Sequence, residues 1–343
     1  MGSSEPDPKA QRPSVSVIIP TLNSAAVLEA CMRSIREQDY PPELVEIIVA
    51  DGGSHDGTVE IARRYGAQVY ENPLRTGEAG KAVGVRHASG ELLAFIDSDN
   101  ELPQSDWLIR MVEPFADDSI VAAEPLSYTY RPTDGYITRY CALLGMNDPI
   151  CLFLGNYDRY SLVTRDWTGL RVSSQDCGGY LKVSLSSERL PTIGANGFVV
   201  RREALIRHPV GDFLFDIDMV ARLVQDGFDT FAKVKVGIVH IYCQDLAGFI
   251  RKQRRRIRDY LFYERHQMRA YPWRGHTRVG ILRFILACGT VLPLLWQAAV
   301  GFRRQPDVAW LFHPVACLTT LAVYGVGWIQ GRLAPAIEDR NAW

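Results

Sequence analysis

Short apolar runs alternate with amphipathic helical patterns over the first two thirds of the chain, and this alternation restricts the possible folds more than any other feature. Val15–Ile19, Val45–Ala50 and Leu92–Asp97 are apolar runs of strand length, rich in β-branched residues. Between the first two, apolar residues recur at helical spacing from Val27 to Ile35. Because such alternation is typical of a parallel sheet covered by helices, we predict an α/β domain over residues 14–245.

Polar and acidic residues follow each of these three strands. The first strand leads into Pro20-Thr21-Leu22-Asn23, the second into Asp51-Gly52-Gly53-Ser54, and the third into Asp97-Ser98-Asp99-Asn100. Ligands of open α/β sheets bind at the carboxyl ends of the strands, so we expect these segments to converge on one site. The Asp-x-Asp pair supplies two hard oxygen ligands, which suit a divalent cation that also holds phosphate oxygens.

The overall composition limits the class of partner. Hydrophobic residues make up 47% of the chain and charged residues 22%, which is enough for a packed core. With 38 Lys and Arg against 39 Asp and Glu there is no basic excess, so we predict no nucleic-acid partner. The seven cysteines form no C-x-x-C pair, which favours a reducing compartment. We expect residues 1–13 to be a disordered leader without a signal peptide, and the globular domain to be cytoplasmic.

Two uncharged segments near the C-terminus, Phe284–Phe302 and Val308–Ile329, have lengths suited to a bilayer. At ~1.5 Å per residue they measure about 28 and 33 Å, against a hydrocarbon core of about 30 Å. We predict a transmembrane hairpin over residues 279–331, with a turn at 303–307 and a tail at 332–343. A shallow re-entrant hairpin and a pair of buried helices in a soluble domain stay open as alternatives.

A strongly basic segment lies just before the apolar segments. Leu246–Gln267 contains the run RKQRRRIR at Arg251–Arg258, and its apolar residues recur at helical spacing. Beside two apolar segments, a basic amphipathic helix is typical of a helix that lies on an anionic membrane surface. We therefore assign residues 246–278 to interfacial helices. The alternative is an ordinary solvated charged face.

Four segments, taken in order, resemble the family 2 glycosyltransferases of the GT-A fold. They are SVIIPTLN (Ser16–Asn23), VADGGSHDGT (Val49–Thr58), GEAGKAVGVRHASGELLAFIDSDN (Gly77–Asn100) and GANGFVVRREAL (Gly194–Leu205). The similarity extends over Ser14–His240. It implies a Rossmann-like nucleotide-diphospho-sugar transferase domain that moves a sugar from a UDP- or GDP-linked donor with inversion of the anomeric centre.

The resemblance also implies roles for the residues that follow the strands. Asp51 matches the carboxylate that contacts the nucleobase, and Asp99 matches the direct ligand of Mn²⁺ or Mg²⁺. Lys81 matches a basic residue near the diphosphate, with a solvated helix lysine as the alternative. His240 matches a second metal ligand of some relatives, with a structural histidine as the alternative. The implied donor-binding residues are Pro20, Thr21, Asn23, Asp51, Gly53, Lys81, Asp97, Ser98 and Asp99, and the implied metal ligands are Asp99, Asp97 and His240.

The second half of the chain contains a candidate for the catalytic base. Phe215-Asp216-Ile217-Asp218, followed by Arg222 and Gly227, resembles the E-D-x-D…R…G segment of the family, with Phe215 in place of the first acidic residue. The alignment implies that Asp216 is the base. Since residues 216 and 218 need not face the same way on a helix, Asp218 stays an alternative, as does a base elsewhere.

The membrane features indicate which acceptor the enzyme uses. We expect transfer to a lipid-linked acceptor, either a polyprenyl-linked glycan or a polyprenyl phosphate, at the cytoplasmic face of the cell (inner) membrane. Tyr128–Gln175, rich in Tyr, Gly and Trp, is a candidate acceptor-binding insertion. A soluble acceptor and a non-catalytic membrane scaffold are the alternatives. No G-x-G-x-x-G follows the first strand and no Q-x-x-R-W is present, which disfavours an oxidoreductase and a processive polymerase.

Overall fold

The computed structural model describes residues 12–265, 269–271 and 277–333. Most of the predicted leader (residues 1–13) and of the predicted tail (residues 332–343) lies outside the described residues. The domain boundaries given above stay predictions.

One mixed sheet forms the centre of the described globular part. Its order is β3-β2-β1-β4-β9-β6-β10-β8-β7, with the short β5 paired to β10. The strands are β1 (Val15–Thr21), β2 (Val45–Asp51), β3 (Gln68–Glu71), β4 (Leu92–Phe95), β5 (Asn100–Glu101), β6 (Ala122–Thr129), β7 (Ser173–Asp176), β8 (Tyr180–Ser184), β9 (Phe198–Arg201) and β10 (Thr230–His240).

Helices cover the sheet and continue beyond it toward the C-terminus. The α-helices are α1 (Ala25–Arg36), α2 (Thr58–Arg64), α3 (Gly77–His87), α4 (Trp107–Val112), α5 (Tyr136–Leu144), α6 (Ile150–Leu154), α7 (Arg202–Leu205), α8 (Asp216–Gln225), α9 (Leu246–Arg265), α10 (Thr277–Thr290), α11 (Leu292–Arg304) and α12 (Phe312–Leu333). Short 3₁₀ helices occupy Pro42–Leu44, Glu113–Ala116 and Val308–Leu311.

The first strands pair in parallel, as predicted. In the register of β1 and β2, Val15 lies opposite Val45 and Thr21 lies opposite Asp51. Strand β4 pairs in parallel with the other side of β1. Because parallel strands in register end at the same edge of a sheet, the segments after β1, β2 and β4 are neighbours. The predicted α/β class with a parallel half of the sheet is confirmed.

These strands are apolar at consecutive positions because both faces of the sheet are buried. Val17 and Ile47 pack on one face with side chains of α1, α2 and α4. Ile18 and Ile48 pack on the opposite face with side chains of α3 and α8. An uninterrupted apolar run in the sequence therefore encodes a central strand, whereas simple alternation would encode a strand with one wet face.

The C-terminal apolar region differs in shape from two straight spans. The segment Phe284–Phe302 is divided between α10 and α11, which meet at 92°. Val291 at the break has φ of 62°, and Pro293 follows in the first turn of α11, where its missing N–H cannot extend α10. By length and composition, one described helix (Val308–Arg332) suits a membrane span, and the bent pair adds a second if it is counted as one span.

Close packing of α3 on β1 depends on glycine. A Cβ at Gly84 would lie 2.2 Å from Cγ2 of the buried Ile18, whereas a Cβ at Gly77, in the same helix, would meet nothing within 4 Å. Neither glycine has a positive φ, so space alone distinguishes the two positions. This close approach sets the depth at which α3 carries Lys81 over the end of the sheet.

We expect Gly84→Ala to destabilise the fold and Gly77→Ala to leave it unchanged or slightly more stable. The first substitution overpacks the α3–β1 contact, at a cost of about 1–3 kcal/mol. The second only restricts the unfolded chain, a gain of about 0.4–1 kcal/mol. Thermal unfolding of both variants under identical conditions measures the difference. Equal melting temperatures would contradict the assigned packing.

Candidate active site

A buried lysine links two carboxylates at the carboxyl edge of the sheet. Lys81, on α3, is only 4% exposed. Its Nζ lies 2.6 Å from Oδ1 of Asp216, at the start of α8, and 3.5 Å from Oδ1 of Asp97, after β4. A solvated helix lysine, the alternative considered from sequence, is therefore excluded. The arrangement brings the predicted donor side and the predicted base into one cluster.

The charges of this cluster follow from burial and mutual contact. Burial alone would lower the pKa of Lys81, but Asp216 and Asp97 outweigh it and raise that pKa above its usual range. Burial raises the pKa of Asp216 to about 6, although Lys81 acts in the opposite direction. A charged Lys81 next to a carboxylate of raised pKa is the environment expected of an acid–base group.

The two aspartates of the Asp216–Asp218 segment have different environments. Asp218 is 2% exposed, and its Oδ1 accepts hydrogen bonds from the backbone N–H groups of Ala270 (2.6 Å) and Tyr271 (2.8 Å). Its Oδ2 lies 2.6 Å from Nε of Arg269. Asp218 thus anchors the segment after α9, whereas Asp216 faces Lys81. This geometry separates two residues that the sequence left as alternatives.

Asp99 lies in a second group with a histidine and another lysine. Its Oδ2 is 3.5 Å from Nε2 of His240, at the end of β10, and 3.7 Å from Nζ of Lys252, on α9. Burial raises the pKa of Asp99, but His240 and Lys252 reverse this and hold that pKa below its usual range. Asp99 is therefore ionised at neutral pH. The contact with Lys252 was not predicted, and its signal in the sequence is the basic run of α9.

The chemistry of this second group fits a divalent cation. An ionised carboxylate and an imidazole are both ligands that Mn²⁺ accepts. Among the described residues, no group of three or more His, Cys, Asp or Glu is placed to hold a metal ion. Ions of this kind are often bound by one or two protein groups, with substrate phosphates completing the coordination. Asp99 and His240 match that incomplete donor set, while Asp97 pairs with Lys81.

Asp51 organises the loop after β2. Its carboxylate accepts hydrogen bonds from the side chains of Thr21 (2.8 Å) and Ser54 (2.6 Å) and from the backbone N–H groups of Gly53 (2.9 Å) and Ser54 (2.8 Å). Burial opposes ionisation, but these bonds prevail and hold the pKa of Asp51 below its usual range. The carboxylate is thus fixed and charged at the end of its strand.

A cavity of about 530 Å³ opens beside Asp51. Its lining includes Gly53, His55, Tyr70 and Arg75. The ring of Tyr70 stacks on that of His87, with the ring centroids 3.7 Å apart. Of this lining, only Asp51 and Gly53 were predicted from the sequence to bind the donor. Further lining residues come from the loop after β2, from α2, from β3 and from the loop that follows β3. No spacing in the sequence connects the residues of β3 and its following loop to the strand-end motifs.

The remaining predicted donor-side residues stabilise the loops around this edge. Asn23 accepts a hydrogen bond at Oδ1 from the backbone N–H of His55 (3.0 Å), which joins the loops after β1 and β2. Ser98 donates to Oγ of Ser24 at 3.1 Å. Pro20 is buried against α3. A Cβ added to Gly80 of that helix would lie 2.8 Å from the Cβ of Pro20.

A buried charge cluster, which sequence reasoning missed, supports the loop at residues 194–197. Glu124 on β6 pairs with Nζ of Lys233 on β10 at 2.5 Å and with Arg159, and all three residues are at most 1% exposed. Glu124 also accepts a hydrogen bond of 2.9 Å from the backbone N–H of Gly194. Burial lowers the pKa of Lys233 to about 8, partly offset by Glu124. The sequence signal for this cluster was a charged residue within an otherwise apolar strand, Glu124 in β6 and Lys233 in β10.

Comparisons with known proteins identify a related family and a related fold. The model of glycosyl transferase family 2 matches residues 16–184. Residues 16–184 belong to this family. The chain is 32% identical over 141 residues to glycosyltransferase AglE of Haloferax volcanii, covering 39% of this chain and 46% of the relative. It is 37% identical over 105 residues to a PGL/p-HBAD biosynthesis glycosyltransferase of Mycobacterium tuberculosis, covering 29% and 40%.

A solved structure extends the fold similarity to most of the chain. The mannosyltransferase of Pyrobaculum calidifontis, in complex with GDP-Man and Mn²⁺, superposes with a TM-score of 0.53 at 19% identity, over 92% of this chain and 88% of that one. At this identity the similarity concerns the fold. The chain aligns with less than half the length of the two curated relatives named above, at 46% and 40%.

We expect Glu124→Gln to destabilise the protein strongly. Removing the carboxylate charge leaves two buried cations, Lys233 and Arg159, with Asp158 as their remaining carboxylate neighbour. Breaking such a buried pair costs about 3–5 kcal/mol. Chemical or thermal unfolding measures the loss. The matched control is Asp117→Asn, which removes the half-exposed pair with Lys182 (2.6 Å) and should leave stability close to wild type. Comparable losses in both variants would contradict the role of burial.

Proposed function

We propose that the chain is an inverting glycosyltransferase that moves a sugar from a UDP- or GDP-linked donor to a lipid-linked acceptor at the cytoplasmic face of the cell (inner) membrane. The acceptor is a polyprenyl-linked glycan or a polyprenyl phosphate. The observation that carries the proposal is the cluster of Lys81, Asp97 and Asp216, which adjoins the loops of Asp51 and Asp99 at one sheet edge.

Asp216 has the properties required of the base. Lys81 occupies its Oδ1, and within the described part of the chain Oδ2 accepts no hydrogen bond, so that oxygen is available to an acceptor hydroxyl. With a pKa of about 6 the carboxylate is ionised at neutral pH and still basic enough to take a proton. As the acceptor oxygen attacks C1, its proton passes to Asp216 and the bond to the leaving diphosphate breaks.

Several of the chain's own groups are available to bind and orient the donor. We propose that the cavity beside Asp51 binds the nucleobase. The positive charge of Lys81 would compensate the negative charges of the donor diphosphate and of Asp216, the catalytic base. Asp99 and His240, with Asp97 nearby, would hold Mn²⁺ or Mg²⁺. Such an ion, when bound, neutralises the negative charge that develops on the departing nucleoside diphosphate.

A lipid-linked acceptor is favoured by the position of α9. This basic helix lies next to the apolar C-terminal helices and also brings Lys252 to 3.7 Å from Asp99. A soluble acceptor gives no physical reason for joining a membrane-type surface to the reacting edge. A lipid-linked acceptor gives one, because its reacting group stays at the level of the lipid headgroups.

We expect Asp216→Asn to abolish transfer to a hydroxyl acceptor while donor binding persists. Loss of a positioned base lowers the rate by about 10²–10⁴. Turnover with a lipid-linked acceptor, and calorimetric titration with the donor, measure the two quantities. Asp226→Asn, at the other end of α8 and in contact with His208, is the matched control and should keep wild-type turnover.

Near-full activity of Asp216→Asn would contradict the proposed base. It would be the result expected of a phosphate acceptor, whose oxygen is already anionic and needs no base.

We expect Asp99→Asn to weaken metal-dependent donor binding by about ten- to a hundredfold. Titration of UDP- and GDP-sugars with and without Mn²⁺ measures this, and the same screen identifies the nucleotide. Glu101→Gln is the control, since Glu101 pairs with Arg131 at 2.7 Å instead. If Asp99→Asn responds to Mn²⁺ like the wild type, the metal site lies elsewhere.

A further inference from the structure

The three C-terminal helices carry an unusually exposed apolar surface. Leu292, Trp296 and Leu311 are 72%, 68% and 76% exposed, and Leu286, Leu295 and Val308 are each more than half exposed. We call the exposed apolar side chains of residues 279–329 the apolar platform. Soluble monomers rarely expose so many large apolar side chains in one region, and such regions are typical of contacts with membranes or other proteins.

The turn between α11 and α12 lies against the globular domain. Arg304 donates to the carbonyl oxygen of Val163 at 2.6 Å, and Gln305 donates to Oη of Tyr130 at 2.8 Å. Asp307 lies 3.5 Å from Arg139. In a hairpin that crosses a bilayer, this turn would be separated from the domain by a hydrocarbon core of about 30 Å. The contacts are incompatible with that separation.

Helix α12 contacts the globular domain at its start and α9 further along. At its start, Nδ1 of His313 is 2.8 Å from Oη of Tyr140. Further along, Tyr324 donates to Gln253 on α9 at 2.8 Å, and a Cβ on Gly331 would lie 2.6 Å from Leu261. Because the residue numbers of both helices rise together, α9 and α12 run parallel.

Helix α9 cannot accompany α12 across a bilayer. It carries the run RKQRRRIR at Arg251–Arg258, and charged side chains in hydrocarbon are costly. It is also tied to the reacting edge, since Arg255 lies 3.3 Å from Glu78 of α3. A helix packed in parallel against α9 therefore lies along the membrane surface instead of crossing it.

We propose that the C-terminal helices form a monotopic anchor, in which the apolar platform enters one leaflet of an anionic bilayer and no helix crosses it. The bend of 92° between α10 and α11 turns the chain back toward the domain, as this arrangement requires. Exposed arginines beside the platform, among them Arg251, Arg254 and Arg303, match anionic headgroups in charge. The proposal concerns attachment alone and holds for any acceptor.

The topology is tested by cysteine labelling of the full chain in inverted bacterial membrane vesicles, with the exposed Cys177 replaced by serine. Arg303→Cys reports on the turn between α11 and α12, and Glu60→Cys, exposed on α2, reports on the domain. We expect a membrane-impermeant maleimide to label both positions to the same extent without detergent. Labelling of Cys at position 303 only after detergent would overturn the proposal, because the turn would then be on the far side.

The surface is tested by flotation of the purified chain with vesicles of phosphatidylcholine and phosphatidylglycerol. We expect Leu295→Glu combined with Trp296→Glu to reduce binding by on the order of tenfold or more, with donor binding unchanged as evidence of folding. Ile206→Glu, which changes an exposed apolar residue of the globular domain, is the matched control and should float like the wild type.

A wild-type chain that fails to float would overturn the proposal, and so would a stable dimer that hides the apolar platform and stays off the vesicles. Neither outcome bears on sugar transfer itself, which is measured separately with the donor and a detergent-solubilised lipid-linked acceptor. Failure of the anchor and failure of the proposed activity are therefore distinguishable.

Discussion

The Lys81 ammonium, buried between Asp97 and Asp216, is the interaction on which the candidate site depends. A buried charge must be compensated, and here the compensation comes from two carboxylates on different elements of the fold. Lys81 therefore fixes α8 relative to the loop after β4. Lys81 lowers the pKa of Asp216, but burial of the carboxylate in the same recess outweighs this and leaves that pKa raised.

Two further features keep this edge in place. The parallel register of β1 with β2 sets Thr21 opposite Asp51, so the loops that bear the donor-side residues meet. The buried cluster of Glu124, Lys233 and Arg159 connects β6, β10 and the loop at residues 194–197 through ion pairs and hydrogen bonds. Helix α9 then joins this edge to the apolar C-terminal helices through Lys252. The exposed apolar surface of the C-terminal helices and the candidate site are thus parts of one packed structure.

Much of the fold could be predicted from local pattern. The strands β1, β2 and β4 begin where the apolar runs predict, and α9 begins at Leu246 as its periodicity indicates. The site was predictable where residues directly follow a strand, as Asp51, Asp97 and Asp99 do. The choice between Asp216 and Asp218 was not, because it depends on the direction each side chain takes from the first turn of α8. The lining of the cavity beside Asp51 comes partly from β3, which carries no motif.

The sequence by itself determined the α/β class and the family, because strand and helix periods and the residues at strand ends are local properties of the chain. The tertiary structure alone decided which carboxylate meets Lys81, a partner 135 residues away. It also decided how the apolar C-terminal helices lie. Hydropathy measures whether a segment suits hydrocarbon. The direction of a helix relative to the domain is set by contacts such as those of Arg304 and Tyr324, whose partners are distant in the sequence.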